Sequence, residues 1–390
     1  MKHNLPPALK GRATSVFAGQ SPSGAKGWMN WPALAFSQPR RGFHSRVARP
    51  FKAGALSLAS LIGALLLFTR PVSAQPLLYT GTNLSAGEFG DPKSGETLVY
   101  GRDYIYPNEG ELAYFASKGM NVIRVPFRWE VVQPVAEGAL VPAEVQRLKD
   151  IVAAASKKKM VVLLDPHNYA RRYGKVIGGP DVSAADFADF WGRMAGEFRN
   201  DPHVWFGLMN EPHDMPTPQW FGAANAAVAA IRKAGAKNLI LVPGNGWSGA
   251  HSWLESGNDL LLKITDPAHY YAFEAHQYLD SDNSGTHPDA VSATIGSERL
   301  RVFTDWCRKN HKRAFLGEFG VGANDTGRAA IGDMLTMMEK NRDVWIGYTW
   351  WSAGPWWGNY MFTIEPDKGV DRPQMSYLQP HLNGVGAWPS

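Results

Sequence analysis

From residue 75 onward, short apolar runs alternate with longer stretches in which apolar positions recur every three to four residues. The first pattern predicts strands buried on both faces, and the second predicts amphipathic helices. Eight strands are expected: Leu78–Thr82, Asn121–Val125, Met160–Leu164, Val204–Met209, Leu239–Val242, Tyr271–Ala275, Ala314–Gly317 and Val344–Trp350. Helical spacing falls at Glu109–Lys118, Pro142–Ser156, Ala184–Phe198, Gln219–Ala234, Ser297–Asn310 and Thr326–Asn341. The connection Gly244–Pro267 is irregular, and a last short helix is expected near Gln374–Leu382. Strand followed by helix, repeated eight times, predicts an α/β fold, a TIM (β/α)8 barrel forming one domain over 75–390. An open doubly wound sheet would usually carry a glycine-rich phosphate loop after an early strand. The segment Gly81-Thr82-Asn83-Leu84-Ser85-Ala86-Gly87 does not have that pattern.

Charge changes the picture at the N-terminus. The whole chain carries a net +5, but residues 1–74 hold ten Lys and Arg and no acidic residue. Without them, 30 basic residues face 35 acidic ones, a net of −5. The body is therefore mildly acidic, which argues against nucleic acid as a partner. Within the leader, Ala53–Phe68 is uncharged, follows Arg46, Arg49 and Lys52, and precedes the small residues Val72-Ser73-Ala74. A basic region, an apolar core (53–68) and a small-residue site make 1–74 a leader with a secretory signal peptide. The apolar run is short for a membrane span. The expected product is secreted, extracellular or periplasmic, with no stable membrane association after processing. A single cysteine, Cys307, allows no intrachain disulfide. A body of this size buries enough surface to do without one. Cys307 lies in a helical pattern and reads as a small buried apolar residue.

The chemistry concentrates in two strings, Leu208-Met209-Asn210-Glu211-Pro212 and Phe315-Leu316-Gly317-Glu318-Phe319-Gly320. Each is an apolar run ending in a lone glutamate beside a turn residue. A carboxylate there costs desolvation without gaining packing. Two of them facing one pocket are the equipment of a glycosidase. In a barrel of this kind the site forms at the C-terminal strand ends. The other predicted strand ends carry Arg124 to Trp129, Asp165-Pro166-His167-Asn168-Tyr169, Asn245-Gly246-Trp247, His276-Gln277-Tyr278 and Trp350-Trp351. Polar and aromatic groups gather at one end of otherwise apolar strands.

This constellation resembles glycoside hydrolase family 5, the cellulase family, across essentially all of 75–390. The stretches Leu279–His287 and Trp350–Tyr360 resemble its subfamily 5, which includes fungal and bacterial endo-β-1,4-glucanases. The resemblance implies that Glu211 is the general acid/base and Glu318 the nucleophile. It implies that Arg124 and Tyr278 steady Glu318, that Asn210 bonds the sugar 2-hydroxyl, that His276 sits near the acid/base, and that His167 contacts sugar hydroxyls. Trp351 matches the tryptophan that floors the sugar at the cleavage point, although a one-residue shift would exchange it with Trp350. Trp247 is a candidate for stacking on a pyranose face, and Asn168, His213 and His251 for lining the cleft. A carboxylate separation of about 5–5.5 Å would fit a retaining route.

The expected partner is a β-1,4-glucan polysaccharide acted on by a monomer. No cofactor or metal is expected, because two carboxylates suffice. A zinc hydrolase would need clustered ligands such as a His-x-His pair, whereas the histidines here are spread singly. A non-catalytic polysaccharide-binding barrel would lack one carboxylate. The closer alternative is a β-mannanase or a xyloglucan- or mixed-linkage-glucan-cleaving enzyme with the same catalytic pair.

Overall fold

The computed structural model describes residues 75–384, so the expected leader over 1–74 lies outside the described residues. Eight parallel strands close into a barrel: β1 (Tyr79–Leu84), β2 (Val122–Phe127), β3 (Val161–Pro166), β4 (Val204–Gly207), β5 (Ile240–Pro243), β6 (Tyr271–His276), β7 (Ala314–Glu318) and β8 (Trp345–Ala353). Each pairs with its sequence neighbours, and β1 pairs with β8 to complete the ring. The surrounding helices are α1 (Glu109–Ser117), α2 (Pro142–Ser156), α3 (Ala184–Phe198), α4 (Thr217–Lys233), α5 (Ile295–Lys309) and α6 (Asp325–Lys340). After β5 only a 3-10 turn, Asn258–Lys263, stands in a helix position, and the chain closes on the short helix Met375–Leu378. Among the described residues no helix is long and apolar enough to cross a membrane.

Strand placement follows the sequence expectation, with systematic shifts at the mouth. β1, β2, β3 and β8 extend two or three residues further than expected. These extensions include polar positions such as Asn83 and Asp165, which an apolar-run criterion truncates. β4 instead stops at Gly207, and Leu208 and Met209 continue buried outside the ladder. A two-stranded hairpin, Arg171–Arg172 with Lys175–Val176, was not expected. Its two-residue Tyr173-Gly174 turn has positive φ at both positions (47° and 74°), the backbone hand that matches strand twist. The helices begin with local signals. Asn108 and Glu111 form a capping box on α1, and Ser183 with Asp186 does so on α3, satisfying amide N–H groups that have no intrahelical partner.

Side-chain parity explains where the chemistry sits. Alternate residues of a strand point to the same face. The interior of the barrel is plugged by Val122, Val161, Leu163, Trp205, Leu241, Ala272, Phe315 and Ile346. One step further along the same faces come Arg124 from β2, Asp165 from β3 and Glu274 from β6, all buried. The apolar plug therefore supports a buried polar layer, and the mouth lies above it. Cys307 is buried in the helix layer, and burial pushes its thiol up.

Close strand approach requires glycine at β1. A Cβ on Gly81 would lie 1.7 Å from the Val122 carbonyl oxygen on the neighbouring strand. Because the clash is with backbone, Gly81→Ala is expected to destabilise the barrel by about 3 kcal/mol or more. Thermal unfolding followed by circular dichroism checks this, and an unchanged Tm would show that β1 and β2 can separate without cost.

Candidate active site

The site is organised around Arg124. Its guanidinium is fully buried and reaches three carboxylates: Nη1 is 2.9 Å from Glu318 Oε1 and 3.1 Å from Asp165 Oδ2, and Nε is 3.1 Å from Glu274 Oε1. Nη1 also donates to Asn83 Oδ1 (2.9 Å), and Nη2 donates to Asn210 Oδ1 (2.8 Å). Asn83 is itself fixed by donating to the carbonyls of Gly317 (2.9 Å) and Trp350 (3.0 Å). Five strands or strand ends thus converge on one cation. Burial alone would lower the Arg124 pKa, but the surrounding carboxylates outweigh it and raise it.

Glu318 ends β7 and is buried. Besides the Arg124 contact, it accepts a hydrogen bond from the Tyr278 hydroxyl (2.8 Å). Glu211 lies four residues beyond the end of β4 with a left-handed backbone, φ 41°. That conformation is costly for a residue with a Cβ and is held by its surroundings. Asn210 N–H donates to the Pro166 carbonyl, and the Trp191 indole donates to the Leu208 carbonyl. Between the two glutamates stands His276: Nδ1 is 2.8 Å from Glu211 Oε1 and 3.8 Å from Glu318 Oε2, and Nε2 is 3.1 Å from Glu274 Oε1. One oxygen of Glu211, one of Glu318 and a ring nitrogen of His276 all lie within 4.8 Å of one another.

The electrostatics follow from burial and these contacts. Burial works to lower the His276 pKa, but Glu318, Glu211 and Glu274 outweigh it and push it up to about 10, so the ring is an imidazolium at neutral pH. Burial, reinforced by the Glu211 charge, pushes the Glu318 carboxyl up to about 7, against the opposing pull of His276, Arg124 and Tyr278. Burial likewise pushes Asp165 up to about 7 against Arg124. For Glu274 burial acts the same way, but Arg124 and His276 prevail and hold it below its ordinary value. His167 is the opposite case: burial drives its pKa well below the ordinary value, so it is neutral. Its Nδ1 bonds Asp165 (2.8 Å), and its Nε2 faces Asn210 Nδ2 (3.1 Å). The amide can only donate there, so the proton sits on Nδ1.

A row of rings crosses the mouth. Trp351 stacks on His167 (centroids 5.3 Å apart, 15°), His167 meets Tyr169 edge-on (5.4 Å), Tyr169 meets His213 (5.8 Å), and His213 stacks on Trp247 (4.1 Å, 7°). On the other side Trp351 meets Trp357 (5.9 Å), which packs against Phe89 (5.3 Å) and Tyr360 (4.4 Å). Trp350 is fully buried, its indole donating to the Phe362 carbonyl (2.8 Å), so Trp351 rather than Trp350 belongs to this row. Asn168 is turned away from it: its amide oxygen accepts from Trp129 N (2.9 Å), and its Nδ2 donates to Glu130. His251 is exposed, with its backbone N–H donating to Gln277 Oε1 (2.9 Å). The Leu279–His287 string folds back on Asp280, whose carboxylate accepts from the N–H groups of Gly285, Thr286 and His287. Gly285, at φ 69°, lies so close to the Tyr278 ring that a Cβ would approach it to 2.6 Å. The string therefore packs directly against the Tyr278 ring.

Asn83, Phe89, Asp165, Glu274 and Tyr360 belong to this site but carry no role in the sequence analysis. Glu274 carried a signal, since Tyr271-Ala272-Phe273-Glu274-Ala275-His276 places a charge two residues before a histidine, on the same strand face. It needs Gly317 opposite, where a Cβ would come within 2.2 Å of Glu274 Oε1. Tyr360 lies in a loop with no such pattern. Burial and then the charge of Glu318 raise its hydroxyl pKa, which places it in the field of that carboxylate.

Known proteins share this arrangement of chain. The family description "Cellulase (glycosyl hydrolase family 5)" matches residues 79–354. "Endo-beta-1,4-glucanase A" of Emericella nidulans is 39% identical over 327 residues, 83% of this chain and 98% of its own length. "Probable endo-beta-1,4-glucanase B" of Aspergillus niger is 41% identical over 291 residues, covering 74% and 86%. The solved structure of XacCel5A in complex with cellopentaose has 48% identity and a TM-score of 0.76, covering 78% of this chain and 99% of that one. Cel5A of Hypocrea jecorina has 29% identity and a TM-score of 0.71, covering 80% and 100%. With the profile match spanning the whole barrel and relatives of this identity along most of their length, the chain belongs to glycosyl hydrolase family 5.

Proposed function

We propose that this protein is an endo-β-1,4-glucanase that hydrolyses internal bonds of β-1,4-glucan by a retaining double displacement. The observation that carries the reading is the pair Glu211 and Glu318, with carboxylate oxygens within 4.8 Å and the His276 ring between them. That spacing suits direct attack rather than a water-filled gap. The choice of β-1,4-glucan is supported by the relatives, which are named for that activity, and by the neighbour that holds cellopentaose.

In the first step Glu318 attacks the anomeric carbon, and a glycosyl ester forms. The bond to the leaving sugar breaks, and its oxygen takes the proton of Glu211. In the second step water gives a proton to the Glu211 carboxylate and attacks the anomeric carbon, and Glu318 departs as carboxylate. Arg124, Tyr278 and the His276 charge favour the anionic form of Glu318. Protonation of Glu211 removes the repulsion that opposes it. Asn210 uses one Nδ2 hydrogen on His167 and keeps the other for the sugar 2-hydroxyl. Trp351 provides the floor at the cleavage point, His167 contacts sugar hydroxyls, and Trp247 stacks on a sugar further along. Asn168 acts indirectly, by holding the loop that carries His167. Rings on both sides of Trp351 suit a chain that passes through, hence endo cleavage. The apolar core at 53–68 and the Ala74 site support export of the body beginning at Gln75. N-terminal sequencing of secreted protein tests this, and a start well upstream of Gln75 would overturn it.

Product analysis on carboxymethylcellulose, β-mannan and xyloglucan tests the substrate. Shortened cellulose chains are expected, and mannan as sole substrate would overturn the specificity while leaving the chemistry. Removing either glutamate is expected to lower kcat by about 10⁴-fold. Azide separates their roles. In Glu211→Ala it attacks the ester opposite Glu318 and yields a β-glycosyl azide, whereas in Glu318→Ala it takes the nucleophile's place and yields the α-azide. The reverse pattern would exchange the assignments.

The acid limb of kcat/KM reports ionisation of Glu318, whose carboxyl burial pushes up to about 7. Activity is lost as pH falls, because the protonated carboxyl cannot attack. Tyr278→Phe removes a donor to the anion, so the acid limb is expected to move to higher pH, with kcat at neutral pH reduced about tenfold. A pH-rate profile in which the acid limb stays in place would show that Tyr278 does not steady the nucleophile.

A further inference from the structure

Trp247 follows β5 with a left-handed backbone (φ 55°), and 44% of its surface is open. One face of the indole lies flat on His213. The Trp247 N–H donates to the Pro212 carbonyl, next in sequence to Glu211. His213 is held on three sides. Arg171 Nη1 is 3.3 Å from its Nε2, Asp214 Oδ2 is 2.9 Å from its Nδ1, and the Tyr169 ring meets its edge. Arg171 is itself anchored by donating to the Tyr169 carbonyl.

These contacts fix the state of the imidazole. A guanidinium can only donate, so His213 Nε2 carries a lone pair and Nδ1–H donates to Asp214. A proton on Nε2 would set two like charges 3.3 Å apart and break the contact. The titratable and charged groups facing the ring are Arg171, Asp214, Glu211 and Tyr169. Burial, then Arg171, lowers the His213 pKa.

Direction along the cleft comes from the ring row. Trp247 stands four ring contacts from Trp351, beside the segment that carries Glu211, where its N–H bonds the Pro212 carbonyl. The group that protonates the leaving oxygen faces the leaving sugar. Resting on the proposed reading of Glu211 as acid/base and of Trp247 as a stacking residue on the leaving side, we infer that His213, clamped by Arg171 and Asp214, is the positioning residue that holds the Trp247 ring. The consequence is a leaving-side affinity that weakens in acid independently of the catalytic pair.

The test compares cellopentaose, which spans the cleft, with β-cellobiosyl fluoride, whose leaving group is a single atom and cannot reach Trp247. In His213→Ala the ratio of kcat/KM for cellopentaose to that for the fluoride is expected to fall about five- to tenfold, in the range of one lost ring stack. His213→Phe, which keeps a flat ring but cannot titrate, is expected to restore most of that ratio. Calorimetric binding of cellopentaose to Glu318→Gln should weaken as pH drops below the ordinary imidazole range. The Glu318→Gln, His213→Phe double variant should lack that dependence. An unchanged ratio in His213→Ala, or a pH dependence that survives in the double variant, would overturn the platform. Failure of the wild type to cleave cellopentaose would instead overturn the glucanase reading, and the platform with it.

Discussion

The buried guanidinium of Arg124 is the constraint on which the rest of the site depends. A cation in a barrel core is tolerable only with charge and hydrogen-bond partners around it. Here Asp165, Glu274 and Glu318 supply the charge, while Asn83 and Asn210 accept from its remaining N–H groups. Such a cluster is weak evidence for stability, because removing one partner of a buried pair typically costs about 3–5 kcal/mol while apolar replacements can be neutral. Its value lies in geometry. A single planar, always-charged fork fixes the positions of groups from β1, β2, β3, β6 and β7, together with the loop after β4.

The same cluster surrounds the two glutamates unequally. Glu318 accepts from Arg124 and Tyr278, whereas the protein donor on Glu211 is the imidazolium of His276. That imidazolium is in turn held by Glu274, whose Oε1 lies 3.1 Å from its Nε2. The layer below therefore sets the charge state of the groups at the mouth. Gly317 makes this possible by leaving room for Glu274 and His276 beside the strand that ends in Glu318. Apolar residues beneath keep water from the layer, which strengthens each of these contacts.

Above the charged layer the site is aromatic. Trp351 joins two arms of rings, one through His167, Tyr169 and His213 to Trp247, the other through Trp357 to Phe89 and Tyr360. Apolar C–H faces of pyranoses pack on such rings, while the few fixed polar groups choose the hydroxyls. Histidines thus serve three different ends here. His276 is charged and electrostatic, His167 is neutral and orienting, and His213 is a flat support whose protonation would undo it.

Much of this was legible in the chain. Apolar runs and helical spacing determined eight strands in their order, since a parallel strand buried on both faces can be little else. The lone glutamates at 211 and 318 stood out because each interrupts an apolar context. What the sequence could not supply was the partnership of residues distant along it. Arg124 meets Asn83, Asn210 and Glu318 across separations of 41, 86 and 194 residues. Only barrel closure brings those groups together. The choice of Trp351 over Trp350 also required the fold, because a one-residue step on a strand reverses the face. Likewise, Asn168 reads in sequence as a cleft residue, but its amide is used to hold a loop. Local patterns specify which groups lie near the mouth. The direction each one faces follows from closure and from the competition of buried polar groups for partners, and those are properties of the tertiary structure alone.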